Sequence, residues 1–457
     1  MAKSLRRVLR QACTTLTLLA AIGAARADEP DYTEEGIPIP SIATLFPGNA
    51  DLFGNRRWLA ERGVTYNFWY RFDVLDNLRG GQRQGAITQG MLESSLSVDF
   101  EKLAGLSGLT GYVNAFLIHN TGRIRRDYVG GINTIAAIEA DPTFRLSEAW
   151  LEQKFFDGSV RVRAGQIAAD VSFFYSATSA LFLQSDFATL SALNLPSGGP
   201  AYPLATPGVM VGWEPLRDVT LLAAVFNGNP AGPAPPEDEQ IRNRRGTNFR
   251  TQDPALIFAE LQVGTNQAPE DTGLARTVKV GGWAHLGGFD SQRYAYNFSS
   301  LADPAGPGVP LRRRGNGGIY AVVDQQLYRL EGGDSASGVT AYARIGASPQ
   351  DRSEIGFYLD GGVVAAGMIP GRPNDAFGLG FIYARFSSGS RAYDADYNAY
   401  NGTTMPVRDY EANLEVTYRA EIVPGLNVQP VVTRVWHPNG DPTRNAWVAG
   451  FRTILRF

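Results

Sequence analysis

Apolar and polar side chains alternate with a period of two along most of this 457-residue chain. In residues 64–73, Val64, Tyr66, Phe68, Tyr70 and Phe72 fall on one face, and Thr65, Asn67, Trp69, Arg71 and Asp73 on the other. Alternation of this kind is the signature of an extended strand with two unlike environments. The same pattern predicts sixteen strands, at 64–73, 91–100, 108–120, 144–155, 159–167, 208–214, 219–227, 255–263, 276–286, 317–328, 338–347, 355–366, 376–386, 408–421, 426–436 and 446–457. The connections alternate in length: 120–143, 168–207, 228–254 and 287–316 are long, whereas 156–158, 215–218 and 423–425 are short. Long loops on one side and tight turns on the other point to an all-β fold, a transmembrane antiparallel β-barrel of about sixteen strands. An even strand number returns both ends of the barrel to the same side. No fixed sequence repeat of the sort that marks a propeller or β-helix is present.

Composition agrees with that expectation. Mean hydropathy is -0.16, as for a soluble chain. No mature segment holds 18 uninterrupted apolar residues, which excludes helical membrane spans, but alternating strands can cross a bilayer at such an average. Net charge is -3, too balanced for a nucleic-acid binder. Lys3, Arg6, Arg7 and Arg10 precede an apolar run at 12–24 and an Ala25-Arg26-Ala27 cleavage pattern, so residues 1–27 are expected to be a signal peptide. The single cysteine, Cys13, lies within it, leaving a mature chain without disulfides. Residues 28–63 form a Pro-rich lead and a short helix at 51–63, and 64–457 the barrel.

Motifs concentrate between residues 144 and 208. Arg145-Leu146-Ser147-Glu148-Ala149-Trp150-Leu151-Glu152-Gln153 leads through Asp157-Gly158 to Arg163-Ala164-Gly165-Gln166 and Ala168-Ala169-Asp170. Then come Phe173-Phe174 and Gly198-Gly199-Pro200-Ala201-Tyr202-Pro203-Leu204-Ala205-Thr206-Pro207-Gly208. This order resembles the OprB-type carbohydrate-selective porins. Val428-Gln429-Pro430 and His437-Pro438-Asn439-Gly440 return to that pattern, with Val431 where the family tends to be acidic. The resemblance implies an outer-membrane channel for passive diffusion of monosaccharides such as glucose, narrowed by inward-folded extracellular loops. The partners expected are small sugars, outer-membrane lipid and the barrel assembly machinery, with no nucleic acid and no cofactor. The terminal Phe457 on an alternating strand resembles the assembly signal of such barrels. Other small solutes such as organic acids, or a periplasmic β-rich glycan-binding protein or hydrolase, remain alternatives.

Candidate chemistry follows from strand parity. His119, His285 and His437 are far apart and lack metal-ligand spacing. Glu148 and Glu152 suggest a glycosidase pair, but four residues of strand separate them by roughly 13 Å, beyond the reach of either hydrolytic mechanism. They are better read as charged rungs of a pore. Parity places Glu148, Trp150, Glu152 and Lys154 on one face, and Arg161 with Arg163 on the adjoining strand. Arg145 has the opposite parity to Glu148 unless a bulge intervenes. Arginine offers a planar fork of donors to hydroxyls or carboxylates. Arg125, at the root of the 124–143 loop, and Asp170 complete the expected constriction set. Phe173, Phe174, Tyr175, Phe182 and Phe187 should fold the 168–207 loop inward or onto the rim. The 228–250 segment, with Pro233-Ala234-Pro235-Pro236, reads as a solvated loop.

Overall fold

A computed structural model of the protein describes residues 31–46, 54–184, 193–233, 237–268 and 271–457. Among these, sixteen antiparallel strands close into one barrel. In chain order they are β1 (Val64–Gly80), β2 (Gly85–Asp99), β3 (Leu109–Asn120), β4 (Thr143–Phe155), β5 (Val160–Ile167), β6 (Thr206–Leu216), β7 (Val219–Asn227) and β8 (Ala255–Thr265). They continue as β9 (Arg276–Ala295), β10 (Pro310–Tyr328), β11 (Gly338–Ala347), β12 (Ile355–Ala366), β13 (Ala376–Phe386), β14 (Tyr410–Val423), β15 (Leu426–Trp436) and β16 (Asn445–Arg456). Each strand pairs with its neighbours in sequence, and β16 closes on β1 through Leu455 opposite Tyr70 and Phe451 opposite Val74. Closure leaves no edge strand with unpaired backbone, which is what a lipid environment demands.

The outer wall is the apolar set of the alternation. Phe68, Leu96, Leu117, Leu151, Val211, Val225, Leu261, Val280, Val416 and Phe451 all stand exposed on it. On the inner wall Asp73, Glu93, Glu152, Arg163, Glu411, Glu415 and Arg452 are buried. Phe68 outside and Asp73, Glu152 and Arg163 inside match the faces expected from sequence.

Two hairpins run further than the alternation indicates. β1 and β2 extend to a turn at 81–84 rather than ending at Asp73 and starting at Met91, and β9 and β10 reach Ala295 and Pro310. From head-group level upward the outer face has no reason to be apolar, so the lipid pattern fades while pairing continues. The β1–β2 extension instead packs inward, burying Leu75 and Ile87 against Ile124, Tyr128 and Val129 of the 121–142 loop. The β9–β10 extension carries the helix α1 (Ser388–Asn401), whose Asp396 takes two hydrogen bonds from Arg293 at 2.8 and 3.0 Å. This helix is capped by Ser387, which accepts from Ser390 N–H at 3.1 Å, and ends at Gly402 with φ +61°.

At the other end, the short helix expected at 51–63 is a turn and a half, Asn55–Ala60. Residues 51–53 lie outside the described set, as do Phe187 and the signal segment. Arg56 is buried there, donating to Gly36 O and Tyr66 O with its guanidinium 4.1 Å over the Tyr66 ring. Ile37 and Ala43 pack on Phe457, so the lead lies against the β1–β16 seam.

Candidate functional site: a lumen divided into two arcs

The inner wall is not uniform. Over β6–β8 it is apolar: Met210, Leu222, Ala224, Phe226, Leu256 and Phe258 are all buried inside the barrel. The reason is the 168–205 loop, whose described residues, 168–184 and 193–205, fold into the lumen and cover them. Phe173 packs on Phe258 at 5.0 Å, and Phe174 stacks on Tyr320 of β10 at 4.1 Å. Phe182 lies on β13, where the glycines Gly378 and Gly380 make room. A Cβ at either would come within 2.8 Å of the ring.

Polar anchors fix the loop backbone across the lumen. Phe174 N–H donates to Glu260 at 2.9 Å, and its carbonyl accepts from Arg344 at 3.1 Å. Ser176 donates to Asp324 at 2.5 Å. Leu183 and Gln184 N–H groups both donate to Glu415 at 2.9 Å, and Asn194 bonds both backbone groups of Ile355. The loop thus spans from β5 to β14 along one side of the interior.

The 121–142 loop also turns inward. Ile132 and Asn133 N–H groups donate to Glu411 at 2.7 and 2.8 Å. Ala137 N–H meets Leu183 O at 2.7 Å, and Tyr202 donates from its hydroxyl to Ile138 O at 2.8 Å, so the two loops are tied together. Arg125 pairs with Glu139 at 3.5 Å, and burial pushes the Glu139 carboxyl above its ordinary range. The 228–250 segment is solvated only in part: residues 234–236 lie outside the described set, and Ile241, Arg244, Arg245, Thr247, Asn248 and Phe249 are exposed. Its residues 239–246 tuck over β4 and β5, with Asn243 buried and accepting from Arg145 at 2.8 Å. Gly246 has φ +68°, and a Cβ there would sit 1.8 Å from Leu146 O, so close backbone approach requires glycine.

The remaining arc, β16 and β1–β5, is charged. Arg452 grips Asp73 through two bonds at 2.7 and 2.9 Å. Arg71 faces Glu93 at 3.5 Å and lies 3.4 Å over Trp69. Asn114 donates to Glu93 at 3.1 Å, and its side-chain oxygen accepts from Glu148 N–H at 2.7 Å. Arg163 donates twice to Glu152, at 3.0 and 2.7 Å, with its guanidinium 3.9 Å over Trp150. Such paired, stacked arginines are held in one geometry.

The residues singled out from sequence divide by height. Glu152 stands opposite Arg163 and Lys154 opposite Arg161, as the turn at 156–159 requires. Lys154 is exposed and Arg161 pairs with Glu214 at 3.4 Å, both close to the short turns. Glu148 sits higher and accepts from Ala168 N–H at 3.0 Å, while Asp170 accepts from Tyr202 N–H at 2.8 Å. A register shift between Val113 and Ala115 marks a bulge at Ser147–Glu148. It reverses parity, so Arg145 also points inward and is 1% exposed. Sequence reading did not single out Asp73, Arg71, Glu93, Arg452, Glu411 or Glu415. All lie on polar strand faces, but parity alone does not tell which arc a loop leaves open.

A closed barrel with an apolar belt, polar inner face and loops folded into its bore is an outer-membrane porin, a channel rather than an enzyme. Residues 83–457 match the family described as carbohydrate-selective porin, OprB family, and the chain belongs to that family. Porin B of Pseudomonas aeruginosa is 24% identical over 477 residues, covering 97% of both chains. The high-pH structure of Pseudomonas putida OprB superposes with a TM-score of 0.80 at 19% identity, covering 89% of this chain and 97% of that one. The low-pH structure of the same protein gives 0.54 at 16% identity, covering 90% and 98%.

Proposed function

We propose that this porin passes monosaccharides such as glucose by passive diffusion, and that the charged arc selects them. The observation that carries this reading is the pairing on that arc. Arg163 with Glu152, Arg452 with Asp73 and Arg71 with Glu93 set donors beside acceptors with little net charge. A neutral polyhydroxyl solute can use both kinds of group, whereas an organic acid would need an unbalanced positive wall. Arg145, 1% exposed and donating to Asn243 O at 2.8 Å, holds residues 239–246 over this arc rather than meeting the solute itself. In this reading Arg163, Glu152, Glu148 and Asp170 form the constriction with Trp150 behind them, Arg125 lies on the loop above, and Arg161 and Lys154 lie nearer the exit.

The test is planar-bilayer recording under a salt gradient, with and without glucose. Arg161→Ala with Arg163→Ala removes two positive charges and leaves Glu152 unpaired. The expected result is weaker glucose block and a reversal potential shifted towards cations, with the barrel still folded because no lipid contact is lost. Unchanged block and unchanged potential would remove these arginines from the constriction. Faster liposome flux of an organic acid than of glucose would favour the second solute class.

A further inference from the structure

We infer that a basic recess on the outer wall, where the long loops begin, binds the phosphorylated head group of an outer-leaflet glycolipid. On β15 the inward side chains Gln429, Val431, Thr433 and Val435 are buried, and Val432 between them is 44% exposed. Arg434 continues the outward row. It stands opposite Trp447 of β16, which is 41% exposed. On the other side, a register shift between Trp447 and Val448 brings Arg79 of β1 opposite the same tryptophan. The bulge at Leu78 therefore moves Arg79 from the inward to the outward row. Arg434, Trp447 and Arg79 then lie side by side across three strands on the surface that meets lipid.

Between them is a cavity of ≈ 420 Å³, lined also by Arg444, Thr443 and Asn445. Its size is in the range of small-molecule sites, about 300–1,000 Å³, rather than that of a crevice between two side chains. No carboxylate lines it. Asp441 holds Arg444 at 2.8 Å, but Arg79 and Arg434 have no ion-pair partner among the described residues. Their charges repel one another. Arg434 also sits 5.0 Å over Trp447 and 5.6 Å over Trp436.

An isolated pair of guanidiniums on a lipid-facing wall is costly unless an anion joins them. Phosphate is an anion whose oxygens an arginine fork can bind two at a time. Tryptophans mark the bilayer interface, so the recess lies at head-group level. The 81–84 and 437–444 connections flank it, and they share the side of the 121–142 and 168–205 loops, the extracellular side. A second copy of this chain would have to bring carboxylates to the same spot, and Asp441, the acidic residue beside the recess, is already engaged.

The experiment uses the full chain in detergent and native mass spectrometry with three probes: bisphosphorylated lipid A, its dephosphorylated form and inorganic phosphate. The expected result is retention of the bisphosphorylated lipid, at least tenfold stronger than of the dephosphorylated one. Arg79→Gln with Arg434→Gln should lose that preference while keeping heat-modifiable migration and conductance. Equal retention of both lipids by the native chain would overturn the inference without any variant. Displacement of the lipid by an equal concentration of inorganic phosphate would overturn the lipid source in favour of a free anion. Loss of an oligomer in the double variant, with lipid retention unchanged, would overturn it in favour of a second copy.

Discussion

Removing Glu411 and Glu415 should widen the pore without opening the barrel. Glu415 accepts two backbone N–H groups of the 168–205 loop, from Leu183 and Gln184, both at 2.9 Å. Glu411 accepts three, from Ile132 at 2.7 Å, Asn133 at 2.8 Å and Asn439 at 2.6 Å. A buried donor left without its acceptor costs about 1–3 kcal/mol. For Glu415→Ala the two orphaned groups amount to about 2–6 kcal/mol, enough at the lower end to reduce the docked population of that stretch roughly 30-fold. The double alanine variant releases both loops at once, since Ala137 and Leu183 tie one to the other. The strand ladder is untouched, because both side chains point into the lumen and the β13–β14 and β14–β15 registers rest on backbone bonds. Single-channel conductance should rise and glucose block should fall, most in the double variant, with heat-modifiable migration preserved. Conductance and block equal to those of the native chain, in a folded barrel, would refute the reasoning and leave the loops with no part in narrowing the channel.

Phe174→Ala removes a fully buried ring stacked on Tyr320, a loss of about 3–5 kcal/mol. It should speed hydrogen exchange in residues 170–178 and raise conductance, and native-like exchange there would count against the loop anchor. Arg250 hydrogen bonds hold the Asp253 carboxyl below its ordinary 3.8, against burial. That knot therefore contributes stability above about 3.8, lost as pH falls through the depressed value. Asp253→Asn should abolish the acid-dependent part of exchange at 248–253, and the same acid response in the variant would disprove the assignment. Phe457→Ala loses contact with Ile37, Ala43 and the Arg56 guanidinium, so assembly into the outer membrane should drop while conductance per channel stays constant. Normal assembly would show that the ring is dispensable.

The barrel was legible because lipid and lumen impose opposite demands on alternate residues. Strands such as β14, with Glu411, Asn413 and Glu415 on one face and Leu414 and Val416 on the other, carry their orientation in the sequence. Legibility failed where that contrast fades. On β7, Leu222, Ala224 and Phe226 point inward and Leu221 and Val225 outward, so both faces are apolar. Parity cannot say which is which until the loop that covers the inner one is known. The bulge at Ser147–Glu148 was legible only as a condition on Arg145, because one extra residue leaves no compositional trace. Helix α1 had a cap in Ser387 and a stop in Gly402. Those signals went unread because its body is polar and lacks an apolar stripe.

The division of the lumen into two arcs explains why so many charges can be buried in one barrel. On the covered arc, Glu260, Asp324 and Glu415 accept backbone N–H groups of the 168–205 loop, so carboxylates act as fasteners for a segment with no partner strand. On the open arc, charges face one another across neighbouring strands: Asp73 on β1 with Arg452 on β16, Glu152 on β4 with Arg163 on β5. Cross-strand pairing fixes each arginine by register, so its position survives whatever the loops do. Loosening the loops and editing the arc should therefore be separable. Phe174→Ala, which loosens the 168–205 loop without removing a charge, should change pore width with reversal potential nearly constant. Variants at Arg161 and Arg163 should change reversal potential with width nearly constant. A single class of substitution that moved both quantities together would mean that wall and loops act as one element, and that the fasteners also belong to the selecting surface.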